Sequence, residues 1–448
     1  MQSNAMNYRL LHISALLLIL IAIAYYFHFL YQHSLNVPLG DDIYDVLKVM
    51  SGVVASQDLG AGFEILFEQH NDHRTLASRL MYSLVLLATG EIDFRTLTFV
   101  ANMALPLLML VLYVAIPESL PRLMVLLPAA LTILQLRAYG ITLWSMAAFA
   151  YFYVFLYGYA SLHFLHRITL GRFFLACLFA TLSTFTLASG QVIWVVGLLS
   201  LFHQSFIHRS SSKIFVLLWI LVGASVLLVW RIGLQTPNTL WAMLEQFLLT
   251  PEHHVLYTLT LLGSALSEHM VSVAALAGAV MLISLIISSL HGYRKRDIRL
   301  ELYCWFIVFS AAAMVLGRAP YSTVDYALSS RYSFPSVLML ATVWVMIAVR
   351  LQVTSWKLLV VMSALAAAYC INSYDRYSEA LQPHVEKRVR NYNQGKYWAW
   401  YRPMKETKAI VTEAALLGIY NPPEKPLPEP IIFLPDVVQD EDADLEKK

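Results

Sequence analysis

Uncharged apolar runs recur along most of the chain, beginning with LLHISALLLILIAIAYYFHFLY at 10–31. A helix needs about 20 mainly apolar residues to cross the hydrocarbon core of a bilayer. Candidate spans by this measure are 10–31, 94–116, 122–138, 141–165, 172–189, 190–207, 213–232, a stretch within 255–290, 301–317, 333–350 and 357–374. Charged residues make up 13% of the 448 positions and hydrophobic ones 58%, with mean hydropathy +0.61. A soluble domain carries roughly 25% charged residues. The expected fold is therefore an all-α polytopic membrane protein with about 11 transmembrane helices. The net charge of +2 is spread without a basic patch, so no nucleic-acid partner is expected. Cys177, Cys304 and Cys370 all fall in apolar runs without ligand spacing and read as core residues. MQSNA, ahead of a second methionine at Met6, reads as an appended remnant outside the fold. The first apolar run is too long for a signal-peptide core and reads as an uncleaved helix.

Lys and Arg concentrate on cytoplasmic loops. Basic clusters occur at His166-Arg167 with Arg172, His208-Arg209 with Lys213, Arg294-Lys295-Arg296 with Arg299, and Arg350 with Lys357. Placing all of them inside pairs the intervening spans, puts PESLPR (117–122) inside, and leaves the loop 32–93 outside. The N-terminus is then cytoplasmic and the C-terminus exterior. This threading requires 74–90, apolar but short, to lie in the outer interface. The exterior also receives the turns at 135–140 and 188–191, the loops 233–254 and 317–332, and the tail 375–448. The tail is basic and aromatic through 387–402, then Pro-rich, then acidic, and reads as an exterior extension with a disordered end.

Polar chemistry gathers on that face. NVPLGDDIYDVLK (36–48) sets Asp41, Asp42 and Asp45 just beyond the first span. One aspartate can cap the helix that follows. The other is then available as a general base, its pKa raised by a neighbouring carboxylate or a low dielectric. The same loop carries EQHNDHRT (68–75), with Glu68, His70, Asp72, His73 and Arg74. His or Arg can stabilise an anionic leaving group. Asp with His can also hold a divalent metal, but no helical H-x-x-x-H spacing is present, so metal is the weaker expectation and no metal ligand is assigned.

GRAPYSTVDYALSSRY (317–332) holds Arg318 and Arg331-Tyr332 at the outer ends of consecutive spans. Arginine there can simply snorkel, yet it is scarce on the exterior side. Its planar donors suit a phosphate at headgroup level. Arg137, in QLRAYG (135–140), is a third candidate. Ser189-Gly190-Gln191 reads as a tight turn, and YWAWY (397–401) as part of the aromatic belt or a sugar-stacking surface. His253-His254 lacks a third ligand. Glu268-His269 marks either a site at membrane depth or a helix break.

In order and sidedness these features resemble the GT-C class of integral-membrane glycosyltransferases that use polyprenyl-phosphate sugars. An acidic pair, Asp41-Asp42, follows the first helix outside. Interfacial helices near 41–54 and 74–90 come next. His73 to Leu80 reads H-R-x-x-x-x-R-L where relatives often carry H-P-P-x. A late exterior loop supplies arginine in Ser330-Arg331-Tyr332. The likeness in layout runs over most of 7–375; the missing H-P-P leaves the subfamily open.

The resemblance implies a GT-C-like domain over 6–374 in a bacterial inner membrane. It also implies inverting transfer of a sugar from a polyprenyl-phosphate donor to a glycan or glycolipid acceptor of the envelope, such as O-antigen or lipopolysaccharide, on the periplasmic side. Asp41 or Asp42 would be the base. Arg331, with Arg318, Arg74 or Arg137, would hold the phosphate, with His73 and Tyr332 nearby. No cofactor is implied with certainty, and a divalent metal stays open. An O-antigen polymerase or ligase would instead place its largest exterior loop late in the chain. A lipid or glycan transporter would show repeated halves and midplane charges.

Overall fold

The computed structural model describes residues 2–207, 213–235, 240–292, 297–397 and 403–428. His208-Arg209, Arg294-Lys295-Arg296, most of the aromatic run at 397–401 and the acidic terminus lie outside the described residues. Every regular element among the described residues is helical. Among the described residues, eight helices are long and apolar enough to cross a membrane: Leu10–His33, Phe94–Ala115, Ser145–Leu165, Ala188–Ile207, Lys213–Arg231, Val271–Gly292, Arg299–Tyr321 and Trp356–Asn393. Four shorter apolar helices accompany them, Leu76–Thr89, Arg122–Ile133, Leu170–Thr184 and Phe334–Arg350. The arrangement is that of a multi-pass helical membrane protein.

Burial separates core helices from peripheral ones. Ser145–Leu165 is apolar all round and buried on nearly every face, which is how a central helix reads. The first helix instead turns most of its surface outward, with Leu17 53% and Ile21 62% exposed. Such surface is costly in water and neutral in lipid.

The expected span 122–138 is helical only to Ile133. Residues 134–138 continue as irregular backbone, yet they stay buried. Non-helical backbone at such depth survives only when protein satisfies its polar groups. Here Ser373 Oγ accepts from Leu136 N at 3.1 Å, and Tyr374 OH donates to Leu134 O at 2.9 Å. The turn 135–140 is thereby fixed to the last long helix.

The stretch 255–290 resolves into two helices, Pro251–Gly263 and Val271–Gly292, broken around Glu268. They touch backbone to backbone: a β-carbon on Gly278 would overlap the Leu259 carbonyl, and one on Gly263 would overlap that of Ala274. Small residues permit this approach between membrane helices. Gly278→Val is expected to destabilise by about 1–3 kcal/mol, because neither backbone can yield. Thermal unfolding in detergent checks this, and an unchanged midpoint would refute the close crossing.

The last long helix runs unbroken from Trp356 to Asn393, 38 residues. At about 1.5 Å per residue it is roughly 57 Å long, far more than a ~30 Å hydrocarbon core requires. It therefore outlasts the expected span 357–374 and continues as one helix into the tail. Beyond it, Met404–Leu416 packs on the helices Asp42–Lys48 and Val49–Ala55. Ile92 N donates to Ile419 O at 2.6 Å, and Tyr420 OH to Asn36 O at 2.9 Å. The chain's last described segment thus clamps its first polar loop.

Candidate functional site

The loop 36–75 owes its shape to a wide helical turn. Asp42–Lys48 is a π-helix running directly into Val49–Ala55, and such turns often accompany functional sites. Asp41 stands at its N-terminus but makes no capping hydrogen bond there. The capping role expected of one aspartate falls on a different helix. Asp42 Oδ1 accepts from Met146 N, in the first turn of Ser145–Leu165, and Oδ2 accepts from Leu39 N, both at 3.0 Å. An anion at a helix N-terminus is favourable.

Asp42 is fully buried, and both its oxygens are engaged by backbone amides. Burial pushes its pKa up to about 7, against the pull of the Arg388 guanidinium and the two amides. A carboxyl whose folded pKa exceeds its unfolded value of about 3.8 stabilises most below pH ~4 and loses that contribution as pH rises towards 7. The stability advantage of wild type over Asp42→Asn is therefore expected to shrink between pH 5 and pH 8. Melting temperatures of the two proteins across that range test this; a constant difference would contradict it.

Asp45 lies one turn on, fully buried. Thr75 Oγ1 donates to its Oδ1 at 2.8 Å, and Arg79 Nε and Nη2 reach the same oxygen at 2.9 Å. Burial alone would raise this carboxyl, but Arg79, His70 and Thr75 together hold it below the ordinary carboxylate value. Its Oδ2 is buried without a hydrogen-bond partner. Arg79 is nearly fully buried and also donates to the carbonyls of Leu66 at 3.0 Å and Glu68 at 2.6 Å, closing the end of the helix Leu59–Phe67.

His70 lies between the carboxylates, with Asn71 Nδ2 donating to its Nε2 at 3.2 Å. Its Nδ1 is 3.7 Å from Asp45 Oδ1, and its Nε2 is 3.9 Å from Asp41 Oδ2. A backbone pairing of His70 with His73 holds the turn, at 2.9 and 3.0 Å. Burial disfavours the charged ring, yet Asp45 and Asp41 outweigh it and raise the His70 pKa. The Asp41 side chain is 25% exposed, so the outermost carboxylate alone meets solvent. The set runs from the anchored Asp45 through His70 to the accessible Asp41. It can hold Asp41 oriented beside a reacting hydroxyl.

The remaining candidates divide into groups. Arg74 Nε donates to Trp230 O at 2.9 Å, and its terminal nitrogens donate to the carbonyls of Phe67 and Ile232. It stacks on Phe67 and ties the loop to the end of Lys213–Arg231. His73 is buried at Nδ1 without a partner. Burial lowers its pKa to about 4, with Asp72 opposing and Arg318 adding to the shift, so the ring is neutral. Glu68 joins the site only through its carbonyl, which takes Arg79.

Arg331 donates to Tyr326 OH at 2.7 Å and to Tyr332 OH at 3.1 Å. Arg318, exposed, lies over the same Tyr332 ring at 6.0 Å, and Arg331 at 4.9 Å. Gly140 makes room for this arrangement, since a β-carbon there would sit 2.6 Å from Ser330 Oγ and 3.2 Å from Arg331 N. Arg137, buried, donates to Ser264 O at 3.1 Å and Leu328 O at 2.5 Å. It joins the turn 135–140 to the loop 317–332.

Beside the segment 37–39 opens a cavity of about 650 Å³ that takes in Arg137, Arg331 and the outer half of the last helix. Asp41, Asp45 and His70 do not line it. The segment 36–45 thus gives its start to the cavity wall and its end to the carboxylate cluster. Sequence reading overlooked Arg388, which faces Asp42 and donates to the carbonyls of Val37 and Leu143. It also noted Arg79 only as part of a motif. The helical repeat of Tyr374, Tyr377, Leu381, Val385, Val389 and Tyr392, all buried, was the available signal for the first. Among the described residues no group of three or more His, Cys, Asp or Glu side chains has the geometry to hold a metal. Comparison with protein-family models, with curated proteins and with solved structures returns no match.

Proposed function

We propose that the protein is an inverting glycosyltransferase of the inner membrane, drawing on a polyprenyl-phosphate-linked sugar and working at its periplasmic face. The observation that carries this reading is the chain Asp45–His70–Asp41, with one accessible carboxylate, at the same end of the bundle as Arg318 and Arg331. The opposite end carries Arg122, Arg172, Arg299, Arg350 and Lys357, which supports a cytoplasmic assignment for that end. Eleven crossings then comprise the eight long helices with Arg122–Ile133, Leu170–Thr184 and Phe334–Arg350. Leu76–Thr89 lies in the outer interface as a GT-C-like feature. The N-terminus is inside and the C-terminus outside.

Asp41 is the better base of the acidic pair, because Asp42 is spent on two amides in the interior. It accepts the proton of an acceptor hydroxyl as that oxygen bonds to the anomeric carbon from the face opposite the phosphate. The bond from the anomeric carbon to the phosphate oxygen breaks, and polyprenyl phosphate leaves with the electron pair. Arg331 and Arg318 receive its charge. The acceptor is a glycan or glycolipid of the envelope.

The test is turnover of radiolabelled undecaprenyl-phosphate sugars by purified protein, wild type beside Asp41→Asn and Asp42→Asn. Release of polyprenyl phosphate by wild type, with donor bound but unconverted by Asp41→Asn, supports the reading. A wild type that binds no lipid-linked sugar overturns it and favours transport or ligation of a finished glycan.

A further inference from the structure

The 650 Å³ cavity is strongly and unequally charged. Five cationic side chains line it: Arg137, Arg331, Lys387, Arg388 and Lys396. Among the described residues the single carboxylate on its wall, Glu268, is already paired with Arg376 and lies 3.1 Å from His269. Asp42 faces Arg388 from behind the wall, but burial leaves it only partly ionised near neutral pH. The cavity therefore keeps a surplus of positive charge after every carboxylate on its wall is counted. A wall of this kind focuses potential on whatever anion enters.

The cations come from three parts of the chain that only the fold brings together: the turn 135–140, the loop 317–332 and the outer half of Trp356–Asn393 with the residues after it. Two of them are held in place, Arg137 by carbonyls of Ser264 and Leu328, and Arg388 by carbonyls of Val37 and Leu143. Tyr139, Trp144, Tyr392 and Tyr397 also face the space. Aromatic faces of this kind suit the apolar side of a sugar ring. Cavities of ~300–1,000 Å³ enclose a drug-sized ligand, which is more than a lone phosphate fills.

Transfer from a polyprenyl monophosphate uses one phosphate, and Arg331 with Arg318 accounts for it. The cations on the outer half of the last helix have no part in that step. We propose that the cavity binds the acceptor, and that the acceptor is a multiply anionic glycan or glycolipid, bearing two or more phosphate groups on its sugars. This rests on the glycosyltransferase reading for the word acceptor, while the anion site stands on the cavity itself. The polyanion enters at headgroup level, where the last helix leaves the bilayer, and the segment 36–45 carries contact from the cavity to Asp41.

The experiment uses the full chain in phosphatidylcholine nanodiscs, with inorganic diphosphate and inorganic phosphate titrated by calorimetry. Diphosphate is expected to bind at least ~10-fold more tightly than phosphate, since two charges engage separate cations. Binding is also expected to weaken with salt. Lys396→Gln, an exposed cation of the cavity wall, should weaken diphosphate by ~3-fold or more with the melting temperature unchanged. A second arm adds cardiolipin, a lipid with two phosphates, to the disc. Competition with diphosphate supports a lipid-borne acceptor, and its absence supports a water-borne one.

No diphosphate binding, or binding indifferent to Lys396→Gln, overturns the proposal. Because Asp41 takes no part in this binding, an inactive transfer assay and a missing anion site are separate results.

Discussion

Asp41→Asn is expected to reduce the proposed sugar transfer by about 10²–10⁴-fold, the range that a positioned general base contributes, with no measurable loss of stability. Two features set this outcome. The Asp41 side chain is 25% exposed and makes no capping bond, so its amide replacement leaves no buried group unpaired. Among the described residues its side chain lies 3.9 Å from His70. The amide cannot accept a proton, so kcat falls while donor affinity persists.

The pH profile supplies an independent readout. His70 has a folded pKa above its unfolded value, so its ionic support of Asp41 is complete below about 6.5 and fades as pH rises through the folded value. His70→Gln should therefore act on the alkaline limb of the profile and add little to the loss already caused by Asp41→Asn. An Asp41→Asn enzyme retaining more than a tenth of wild-type turnover would move the base elsewhere.

Arg79→Ala is expected to cost about 3–5 kcal/mol, the penalty for stranding a buried charge. Arg79 and Asp45 are both nearly inaccessible, and one Asp45 oxygen already lacks a partner. Removing the guanidinium also abandons the carbonyls of Leu66 and Glu68. Asp45 is held below its unfolded pKa, so the pair's contribution exists above pH ~4 and disappears as acid titrates the folded carboxyl. Wild type should thus lose stability at low pH more steeply than Arg79→Ala.

A double variant, Arg79→Met with Asp45→Asn, should recover part of the loss, since two neutral groups of similar volume can replace a buried pair. Equal melting temperatures for wild type and Arg79→Ala would remove the anchoring role. Loss of transfer in Arg79→Ala is expected as well, because an unanchored Asp45 no longer orients His70.

Much of the fold was legible because apolar runs of span length announce themselves residue by residue. The crowding of carboxylates and histidines into 41–73 was equally plain. What composition could not reveal was the use of each group. Asp41 and Asp42 are neighbours in sequence, yet one meets solvent and the other ties Leu39 to Met146, a partner 104 positions away. Arg74 and Arg137 look like free exterior cations on paper, while the fold engages them with carbonyls of distant elements.

The span 122–138 was read too long because burial, not helicity, keeps 134–138 apolar. The last helix was read too short because its composition turns polar at 375, although its buried positions keep helical spacing through Tyr392. In both cases the deciding contacts join residues more than 200 positions apart, beyond the reach of any local pattern.

The clamp between the two ends of the chain has a consequence for biogenesis. A membrane protein is made and inserted from its N-terminus, so the loop bearing Asp41 is made long before Arg388, Ile419 and Tyr420 exist. Until those late residues arrive, Val37, Asn36 and Ile92 lack the partners that fasten them. Without residues 381–397 the cavity also lacks part of its wall. A half-made chain therefore lacks the late contacts that shape both the acidic loop and the cavity beside it.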